Sequence, residues 1–239
     1  MSTGQRPVVW ITGAAGGLGQ ALVAEFRVRN YTVAASFHRT PFNSADEEVL
    51  RLQCDVTDRS QVRAAVDAIA GRFGGIDVLV NNAGLTADNR IGQLENEDWD
   101  QVLDVNLKGA FQCSQAVISS MQKRRTGNII NIGSYAAKSG AAGQCAYAAA
   151  KAGLIGLTQS IAREAGSSNV RANVVLPGVM PTPMTASLSA EIMTGFARAN
   201  ALGRINDPGE VARFVVHLAG MKNVSGQIFQ LDSRIGAWT

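Results

Sequence analysis

Residues 8–19 read Val8-Val9-Trp10-Ile11-Thr12-Gly13-Ala14-Ala15-Gly16-Gly17-Leu18-Gly19, an apolar run that passes directly into a glycine-rich one. The apolar run suits a buried parallel strand, and a helical pattern then opens with Leu18, Leu22 and Phe26 on one face. Glycine permits positive φ and close backbone approach, while a helix N-terminus offers free N–H groups and a partial positive charge. Strand, glycine turn and helix in this order predict a phosphate-binding loop, although the same glycines would also serve tight packing of strand on helix.

Strand-like and helix-like segments alternate along the rest of the chain. The candidate strands are 8–11, 32–37, 50–54, 77–80, 128–132, 171–175 and 227–231, and the long helical patterns are 59–73, 97–122, 145–165 and 209–219. Several strands are almost uniformly apolar, as in a parallel sheet covered on both faces. The sequence therefore predicts an α/β fold: a single doubly wound Rossmann-type domain over residues 1–239, with a seven-stranded parallel sheet flanked by helices on both faces.

Composition describes an ordinary globular chain and excludes several classes of function. Apolar residues make up 46% and charged residues 17% of the 239 residues, and the formal net charge is only +3. The basic triplet Lys123-Arg124-Arg125 suits a helix C-terminus better than nucleic acid. The 3 cysteines form no C-x-x-C pair, so neither disulfides nor a metal site is indicated. With no signal peptide or membrane-length apolar run, we expect a cytoplasmic protein without a membrane or nucleic-acid partner.

A tyrosine and a lysine in the middle of the chain form a candidate acid–base pair. Tyr147 and Lys151 are four residues apart in Tyr-Ala-Ala-Ala-Lys, which places both on one face of a helix, and Ser134 precedes the tyrosine by thirteen. An ammonium near a phenol favours the phenolate and is expected to lower the tyrosine pKa toward neutrality. The pair alone is equally compatible with a surface tyrosine stacked on a lysine stem.

Taken together, these features and three further motifs resemble the classical short-chain dehydrogenase/reductase family from about residue 6 to about residue 232. The matching segments are Thr12-Gly13-x-x-x-Gly17-x-Gly19, Asn81-Asn82-Ala83-Gly84, the set Asn106, Ser134, Tyr147 and Lys151, and Pro177-Gly178 with Thr182. The resemblance implies that Asn106, Ser134, Tyr147 and Lys151 are catalytic. Ser134 would bind the substrate carbonyl oxygen, Tyr147 would donate the proton, Lys151 would lower the tyrosine pKa and bind the nicotinamide ribose, and Asn106 would bind a water that returns the proton.

The resemblance also implies a nicotinamide cofactor, and the end of the second strand predicts NADP(H) over NAD(H). The acidic position that reads the ribose hydroxyls of NAD is occupied by Phe37, and Arg39 stands where a guanidinium can bind a 2′-phosphate. Arg39 as an ordinary loop arginine and Asp55 as a turn aspartate remain the alternatives. The implied cofactor-binding residues are Gly13, Gly17, Leu18, Gly19, His38, Arg39, Asp55, Val56, Asn82, Ala83, Gly84, Tyr147, Lys151, Pro177, Gly178 and Thr182.

Within the family, the closest likeness is to the 3-oxoacyl-[acyl-carrier-protein] reductases. It rests on segments 84–89, 106–109, 143–147 and 178–185. Two arginines through which many such enzymes dock the carrier protein are replaced by Asn128 and Ser168, and Asp232-Ser233-Arg234 replaces the usual Asp-Gly-Gly. The resemblance implies reduction of a 3-oxoacyl thioester linked to acyl carrier protein or CoA. Another small ketone or alcohol, or a non-catalytic NADP-binding sensor, are the alternatives.

Two further expectations concern a substrate lid and the oligomeric state. Residues 184–201 mix Met, Leu, Ile and Phe with small polar residues, which predicts a mobile lid over the substrate. The resemblance implies a homotetramer in which segments 97–122 and 145–165 pair between subunits. The alanines and glycines of the second segment permit close approach of helices, but they could equally pack inside one subunit.

Overall fold

A computed structural model describes residues 6–42 and 47–235. Residues 1–5, 43–46 and 236–239 of the predicted domain lie outside the described residues. The sheet has seven parallel strands in the order β3-β2-β1-β4-β5-β6-β7. They are β1 (Val8–Ile11), β2 (Thr32–Phe37), β3 (Leu50–Gln53), β4 (Val78–Asn81), β5 (Gly127–Ile132), β6 (Val170–Leu176) and β7 (Ile228–Gln230). This confirms the predicted sheet. The strand order reverses between β1 and β4, the point at which doubly wound sheets open a ligand-binding crevice.

The helices agree with the predicted segments except in the middle of the chain. They are α1 (Gly17–Val28), α2 (Arg59–Phe73), α3 (Asn96–Leu103), α4 (Gly109–Arg124), α5 (Ala136–Ser139), α6 (Cys145–Ala165), α7 (Ala190–Arg198) and α8 (Pro208–Gly220). The continuous helix predicted over 97–122 is instead α3 and α4 joined by a π-helical turn, Asp104–Lys108. The short helices α5 and α7 were not predicted because neither has a long apolar periodicity, and no residue of either is buried.

Alternation along the strands distributes the core over the two faces of the sheet. In β1, Val9 and Ile11 belong to a buried cluster shared with α1 and α8, whereas Val8 and Trp10 belong to a second cluster with α2, α4 and α6. Because successive strand residues point to opposite faces, a nearly all-apolar strand buries both sides. Helices therefore cover the sheet on both faces, as predicted.

Local signals explain where two of the helices begin and end. The Asp58 carboxylate accepts a hydrogen bond from Ser60 N at 2.8 Å at the start of α2, and Gly74 ends that helix with φ 82°. At α8, Asp207 accepts from Glu210 N at 2.7 Å and Pro208 occupies the first helical position.

A chain of buried polar side chains ties the sheet to two long helices. Asn81 of β4 donates to Ser114 of α4 at 3.1 Å and to Asn131 of β5 at 2.8 Å, and Asn131 donates to Thr158 of α6 at 2.8 Å. Buried groups satisfied in this way fix the lateral position of their elements. The contacts set α4 and α6 against the same region of the sheet, behind its carboxyl edge.

Residues 6–42 and 47–235 contain neither a candidate membrane-spanning helix nor a cluster of metal-ligating side chains. No helix there combines the length and apolar character that crossing a bilayer requires. Within the same residues, no three His, Cys, Asp or Glu side chains cluster as metal ligands would.

Candidate active site

A cavity of about 650 Å³ lies at the carboxyl edge of the sheet, between the glycine loop and the segments that follow β2, β4, β5 and β6. Most of the predicted site residues line it: Gly13, Gly17, Leu18, Gly19, His38, Arg39, Asp55, Asn82, Gly84, Asn106, Ser134, Tyr147, Lys151, Pro177, Gly178 and Thr182. Val56 and Ala83 are not among the lining residues. The structure thus brings segments far apart in sequence to the walls of one cavity.

The glycine loop is packed so closely that side chains would not fit at two of its positions. Gly13 has φ +65°, and a Cβ there would lie 2.7 Å from Ala83 Cα. A Cβ on Gly19 would lie 2.3 Å from the Gly13 carbonyl oxygen. The N-terminus of α1 has neither a side-chain cap nor an acidic residue in its first turn, so its N–H groups face the cavity without a competing anion. This arrangement fits a pyrophosphate.

Thr12 and Asn82 fix the shape of that loop. The Thr12 hydroxyl accepts hydrogen bonds from the backbone N–H groups of Asn82 and Ala83, both at 3.0 Å. The Asn82 side-chain amide donates to the carbonyl oxygens of Thr12 and Gly13, also both at 3.0 Å. The motif after β4 therefore shapes the glycine loop, and Ala83 contributes through its backbone rather than by lining the cavity.

The end of the cavity near β2 carries polar and charged side chains. Arg39 is exposed there, and His38 Nε2 lies 3.4 Å from Asp55 Oδ2. The other Asp55 oxygen accepts from the backbone and hydroxyl of Thr57 at 2.9 and 2.8 Å, which fixes the carboxylate in a turn. Val56 is buried in the core, and its carbonyl accepts from Gln112 at 3.1 Å.

At the opposite end, the tyrosine and lysine lie on one face of α6 as predicted. Lys151 Nζ lies 5.6 Å from the centre of the Tyr147 ring and donates to the Ile132 carbonyl oxygen at 2.8 Å. Burial lowers the pKa of Lys151 to about 8. This carbonyl contact is a site feature that the sequence analysis missed, since a backbone acceptor leaves no signal in the residue types.

The predicted lowering of the Tyr147 pKa is wrong in this structure. Burial raises the pKa of Tyr147; the Ser134 hydroxyl acts in the opposite direction, and the Asp88 carboxylate raises it further. Loss of hydration disfavours the phenolate more than its neighbours favour it. The phenol therefore keeps its proton at neutral pH, which is the form that can donate one.

Asn106 occupies the π-helical turn between α3 and α4, where its side chain points inward. Its amide nitrogen donates to the carbonyl oxygens of Leu85 and Val102, both at 2.8 Å. Its buried oxygen has no partner among the described residues. A Cβ on Gly84 would lie 2.6 Å from that oxygen and 3.5 Å from Lys151 Nζ, so the lack of a side chain at Gly84 lets a small polar group reach both. An acceptor without a partner beside a buried ammonium fits a bound water.

The wall formed by Pro177 and Gly178 contains a residue that the sequence analysis did not identify. Asn206 accepts from Gly178 N at 2.9 Å, and Asn206 N donates to the Val179 carbonyl at 2.9 Å. A Cβ on Gly178 would lie 2.4 Å from Asn206 Oδ1 and 2.8 Å from the Asp232 side chain. Neither Asn206 nor Asp232 lies in a segment whose local pattern points to this wall, because tertiary packing alone brings them there.

The segment predicted as a lid contains a 3₁₀ turn, Pro183–Thr185, whose first residues border the cavity, and then helix α7. Ser189 begins α7 by accepting from Ile192 N at 3.3 Å. The side chains of Met184 and Ile192 are about half exposed, at 50% and 48%. Met184 lines the cavity, so its exposed side chain is suited to contact an apolar ligand, whereas Ile192 lies further along the segment and is not among the lining residues.

Comparisons with known proteins agree with this geometry. Residues 7–192 match the family model described as short chain dehydrogenase. A 3-oxoacyl-[acyl-carrier-protein] reductase of Thermotoga maritima is 39% identical over 235 residues, which cover 94% of this chain and 96% of the relative. The corresponding enzyme of Vibrio cholerae is 40% identical over 217 residues, with 89% of each chain covered. The solved structure of ElxO with NADP bound has a TM-score of 0.89 and 27% identity, covering 96% of this chain and 98% of that one.

The family match extends over most of the chain, and the relatives align along nearly their full length. The glycine loop, the cavity and the Tyr147–Lys151 pair described above are in keeping with that match. This chain therefore belongs to the short-chain dehydrogenase family and is an NAD(P)-dependent oxidoreductase that acts on CH–OH groups.

Proposed function

We propose that this protein uses NADPH to reduce a 3-oxoacyl thioester to the 3-hydroxyacyl thioester, with Tyr147 as the general acid. The observation that carries the proposal is the placement of Ser134, Tyr147, Lys151 and Asn106 at one end of a cavity that is also lined by the glycine loop and, at its other end, by Arg39. The similarity to 3-oxoacyl-[acyl-carrier-protein] reductases supports the substrate class. Reduction consumes one hydride, which NADPH supplies when bound, and one proton, which the protein must deliver to the carbonyl oxygen.

Ser134 and Tyr147 act on the substrate carbonyl. The two side chains line the same part of the cavity, so one carbonyl oxygen can accept from both hydroxyls. The raised pKa of Tyr147 keeps its proton on the phenol until the oxygen develops negative charge. Ser134 orients the carbonyl, and the Tyr147 proton ends on the product alcohol.

Lys151 and Asn106 restore the proton. Lys151 is buried with a pKa near 8, so it is charged at neutral pH but within reach of proton exchange. A water bound to the unpartnered oxygen of Asn106 would connect the Lys151 ammonium with solvent. In this scheme the π-helical turn has a purpose, since it turns the Asn106 side chain into the site.

Preference for NADPH rests on Arg39. Phe37 and His38 leave the end of β2 without an acidic side chain, and the exposed Arg39 guanidinium lines the same wall of the cavity. A guanidinium forms paired, charge-assisted hydrogen bonds with phosphate and gains nothing comparable from a ribose hydroxyl. The NADP bound to ElxO, a structural relative of this chain, is in keeping with this preference.

The Arg39→Glu variant tests the cofactor assignment. We expect its dissociation constant for NADPH to rise by about tenfold or more, while that for NADH changes by about twofold at most. Arg63→Glu changes the same charge on an exposed face of α2 and should alter neither constant. Equal losses of NADPH and NADH affinity in Arg39→Glu, measured by titration of cofactor fluorescence, would contradict the assignment.

Asn128 bears on the question of which carrier holds the acyl substrate, because it replaces one of the two docking arginines. Asn128 is completely buried, and its amide donates to the carbonyl oxygens of Leu218 and Ala219 at 3.3 and 3.2 Å. This position cannot touch a carrier protein, so we propose that the enzyme accepts CoA esters as readily as carrier-protein substrates. Oxidation of NADPH is measured with acetoacetyl-CoA and with a 3-oxoacyl carrier protein, and a strong preference for the latter would overturn the CoA proposal.

We further propose a cytoplasmic homotetramer built as one domain, with residues 184–201 as its substrate lid. Phe111 on α4 is 45% exposed, and a Cβ on Gly156 of α6 would meet no described residue within 4 Å, so the outer faces of both helices permit close pairing with a second subunit. Gel filtration with light scattering tests the assembly. A monomer at micromolar concentration would contradict it.

A further inference from the structure

Asp232-Ser233-Arg234 packs against three segments, those that follow β5, β6 and α7, of which the first two line the cavity. The three residues come after Leu231, which follows β7 and whose N–H donates to the Leu176 carbonyl at 3.0 Å. Ser233 and Arg234 stand where the resemblance to the family would place two glycines, so this chain has two side chains that most relatives would lack. Each of them makes specific contacts.

Arg234 connects Tyr135, the residue after Ser134, with Asp232, whose side chain packs against Gly178. Its guanidinium carbon lies 3.6 Å above the centre of the Tyr135 ring. The same guanidinium forms an ion pair with Asp232, whose side chain is only 1% exposed. Asp232 in turn lies against Gly178, where a Cβ would come within 2.8 Å of it. Arg234 thus contacts the segment after Ser134 directly, through Tyr135, and the Gly178 segment indirectly, through Asp232.

Ser233 joins the tail to the base of the lid. Its backbone N–H donates to Asn200 Oδ1 at 3.0 Å, and its hydroxyl accepts from Leu202 N at 3.1 Å. Asn200 is buried, and Ala201 N donates to the Ser233 carbonyl at 3.1 Å. The segment that follows α7 is therefore fixed to the same tail residues that contact Tyr135 and Gly178.

We propose that Arg234 is a positioning residue for the reduction: stacked on Tyr135 and paired with Asp232, it fixes the distance between the Ser134 wall and the Gly178 wall. A stacked guanidinium that is also ion-paired has little freedom to move, so it transmits the position of one wall to the other. Its effect falls on the ketone and the nicotinamide end, and not on the adenosine end near Arg39. The inference rests on the proposed ketone reduction.

The test compares Arg234→Lys, Tyr135→Leu and the double variant. Lysine preserves a cation for the buried Asp232 carboxylate, and Tyr135→Leu leaves the ion pair intact, so neither variant buries an unpaired charge. We expect each to raise the KM for the ketone and lower kcat, by about fivefold in kcat/KM or more, with the NADPH dissociation constant within about twofold of wild type. Both substitutions break the same contact, that between the Arg234 guanidinium and the Tyr135 ring. The double variant should therefore be about as impaired as the worse single variant.

A second readout does not depend on turnover. Enhancement of NADPH fluorescence on binding reports how the nicotinamide is enclosed, and we expect it to fall in both single variants at unchanged affinity. Arg72→Lys is the matched control, because its guanidinium lies 5.4 Å from the Phe73 ring at the far end of α2. Arg72→Lys should change neither readout.

The outcomes separate this inference from the proposed function. Unchanged kcat, KM and fluorescence in Arg234→Lys, with only a lower melting temperature, would make Arg234 merely structural and overturn the inference. Additive losses in the double variant would contradict action through the Tyr135 contact. A wild-type protein that reduces none of the ketones contradicts the proposed function instead, and the fluorescence comparison still decides whether Arg234 positions the nicotinamide wall.

Discussion

The glycine-loop side of the cavity and the lid side differ in how they are built. On the first, Gly13 and Gly19 leave no space for a Cβ, and Thr12 and Asn82 satisfy one another through backbone and side-chain hydrogen bonds. On the second, the side of the proposed lid, α7 buries no residue, and the segment after it is held by hydrogen bonds that link Asn200, Ala201 and Leu202 to one residue, Ser233. Close packing holds the glycine loop in one geometry, whereas the segment around α7 has few buried contacts to hold it.

The comparison indicates that the residues proposed to carry out the reaction lie on elements fixed to the core, whereas those proposed to cover the substrate do not. Tyr147 and Lys151 lie on α6, which the buried Asn131–Thr158 contact ties to the sheet, so the proposed acid and its partner are on an element fixed to the core. In the proposed lid, the side chains of Met184 and Ile192 are 50% and 48% exposed, and they offer apolar contact area without fixed geometry. Substitutions should therefore cause steep losses on the rigid side and shallow losses on the lid side.

The largest loss is expected at the proton donor. Tyr147→Phe removes the hydroxyl while preserving the buried ring, so turnover should fall by a factor on the order of 100 or more while NADPH affinity stays within about threefold. Steady-state kinetics and cofactor titration on the same preparation measure both. A loss below about tenfold would remove Tyr147 from the acid role.

The next loss tests the glycine loop itself. A Cβ on Gly19 would lie 2.3 Å from the Gly13 carbonyl oxygen and 2.8 Å from Ala14 Cα. Gly19→Ala should therefore weaken NADPH binding by about tenfold or more and lower the free energy of unfolding by about 1–3 kcal/mol.

Gly71 supplies the control for that change. It lies within α2, and a Cβ there meets nothing within 4 Å. Gly71→Ala should raise the free energy of unfolding by about 0.5–1 kcal/mol and leave NADPH binding unaltered. If the two alanine variants behaved alike in denaturant titrations, the loop would not be as tightly packed as described.

A moderate effect is expected from pH. Burial places the pKa of Lys151 at about 8, so the ammonium is present below that pH and is lost above it. In the proposed relay the charged form restores the proton to Tyr147, so kcat for reduction should fall as pH rises through about 8, by up to about tenfold per pH unit. Lys151→Arg, which stays charged, should move the fall to higher pH. A wild-type profile that is level to about pH 10 would contradict the role of Lys151.

The smallest effect is expected on the lid. Ile192→Ser removes apolar contact area without disturbing the core, so the KM for a long acyl chain should rise by about threefold while that for a short chain is unchanged. Val28→Ser, at a position 77% exposed on α1, is the control and should change neither constant. A loss of tenfold or more in kcat for Ile192→Ser would contradict the distinction between a rigid and a loose side.

The same two sides differ in how far the sequence predicted them. The glycine loop and the Tyr147–Lys151 face follow from local patterns, because a strand, a turn and a four-residue helical step are short-range features. The raised pKa of Tyr147 was not predicted, since burial depends on segments distant in the chain.

On the lid side, the missed features also arise from long-range packing. Asn206 contacts Gly178 across 28 residues of sequence, and Arg234 reaches Tyr135 from the far end of the chain. The sequence likewise predicts one helix over 97–122 through the π-helical turn at Asn106, because the helical pattern continues on both sides of that turn. Such contacts leave no periodicity by which they could be found.

The most direct test of the account uses NADPH dideuterated at C4 of the nicotinamide together with acetoacetyl-CoA. Mass spectrometry of the 3-hydroxybutyryl-CoA product should show one deuterium at C3 with the wild-type protein, and little or no product with Tyr147→Phe over the same time. Product without deuterium, or the absence of product from a wild-type protein that binds NADPH and is presented with both CoA and carrier-protein substrates, would contradict the account.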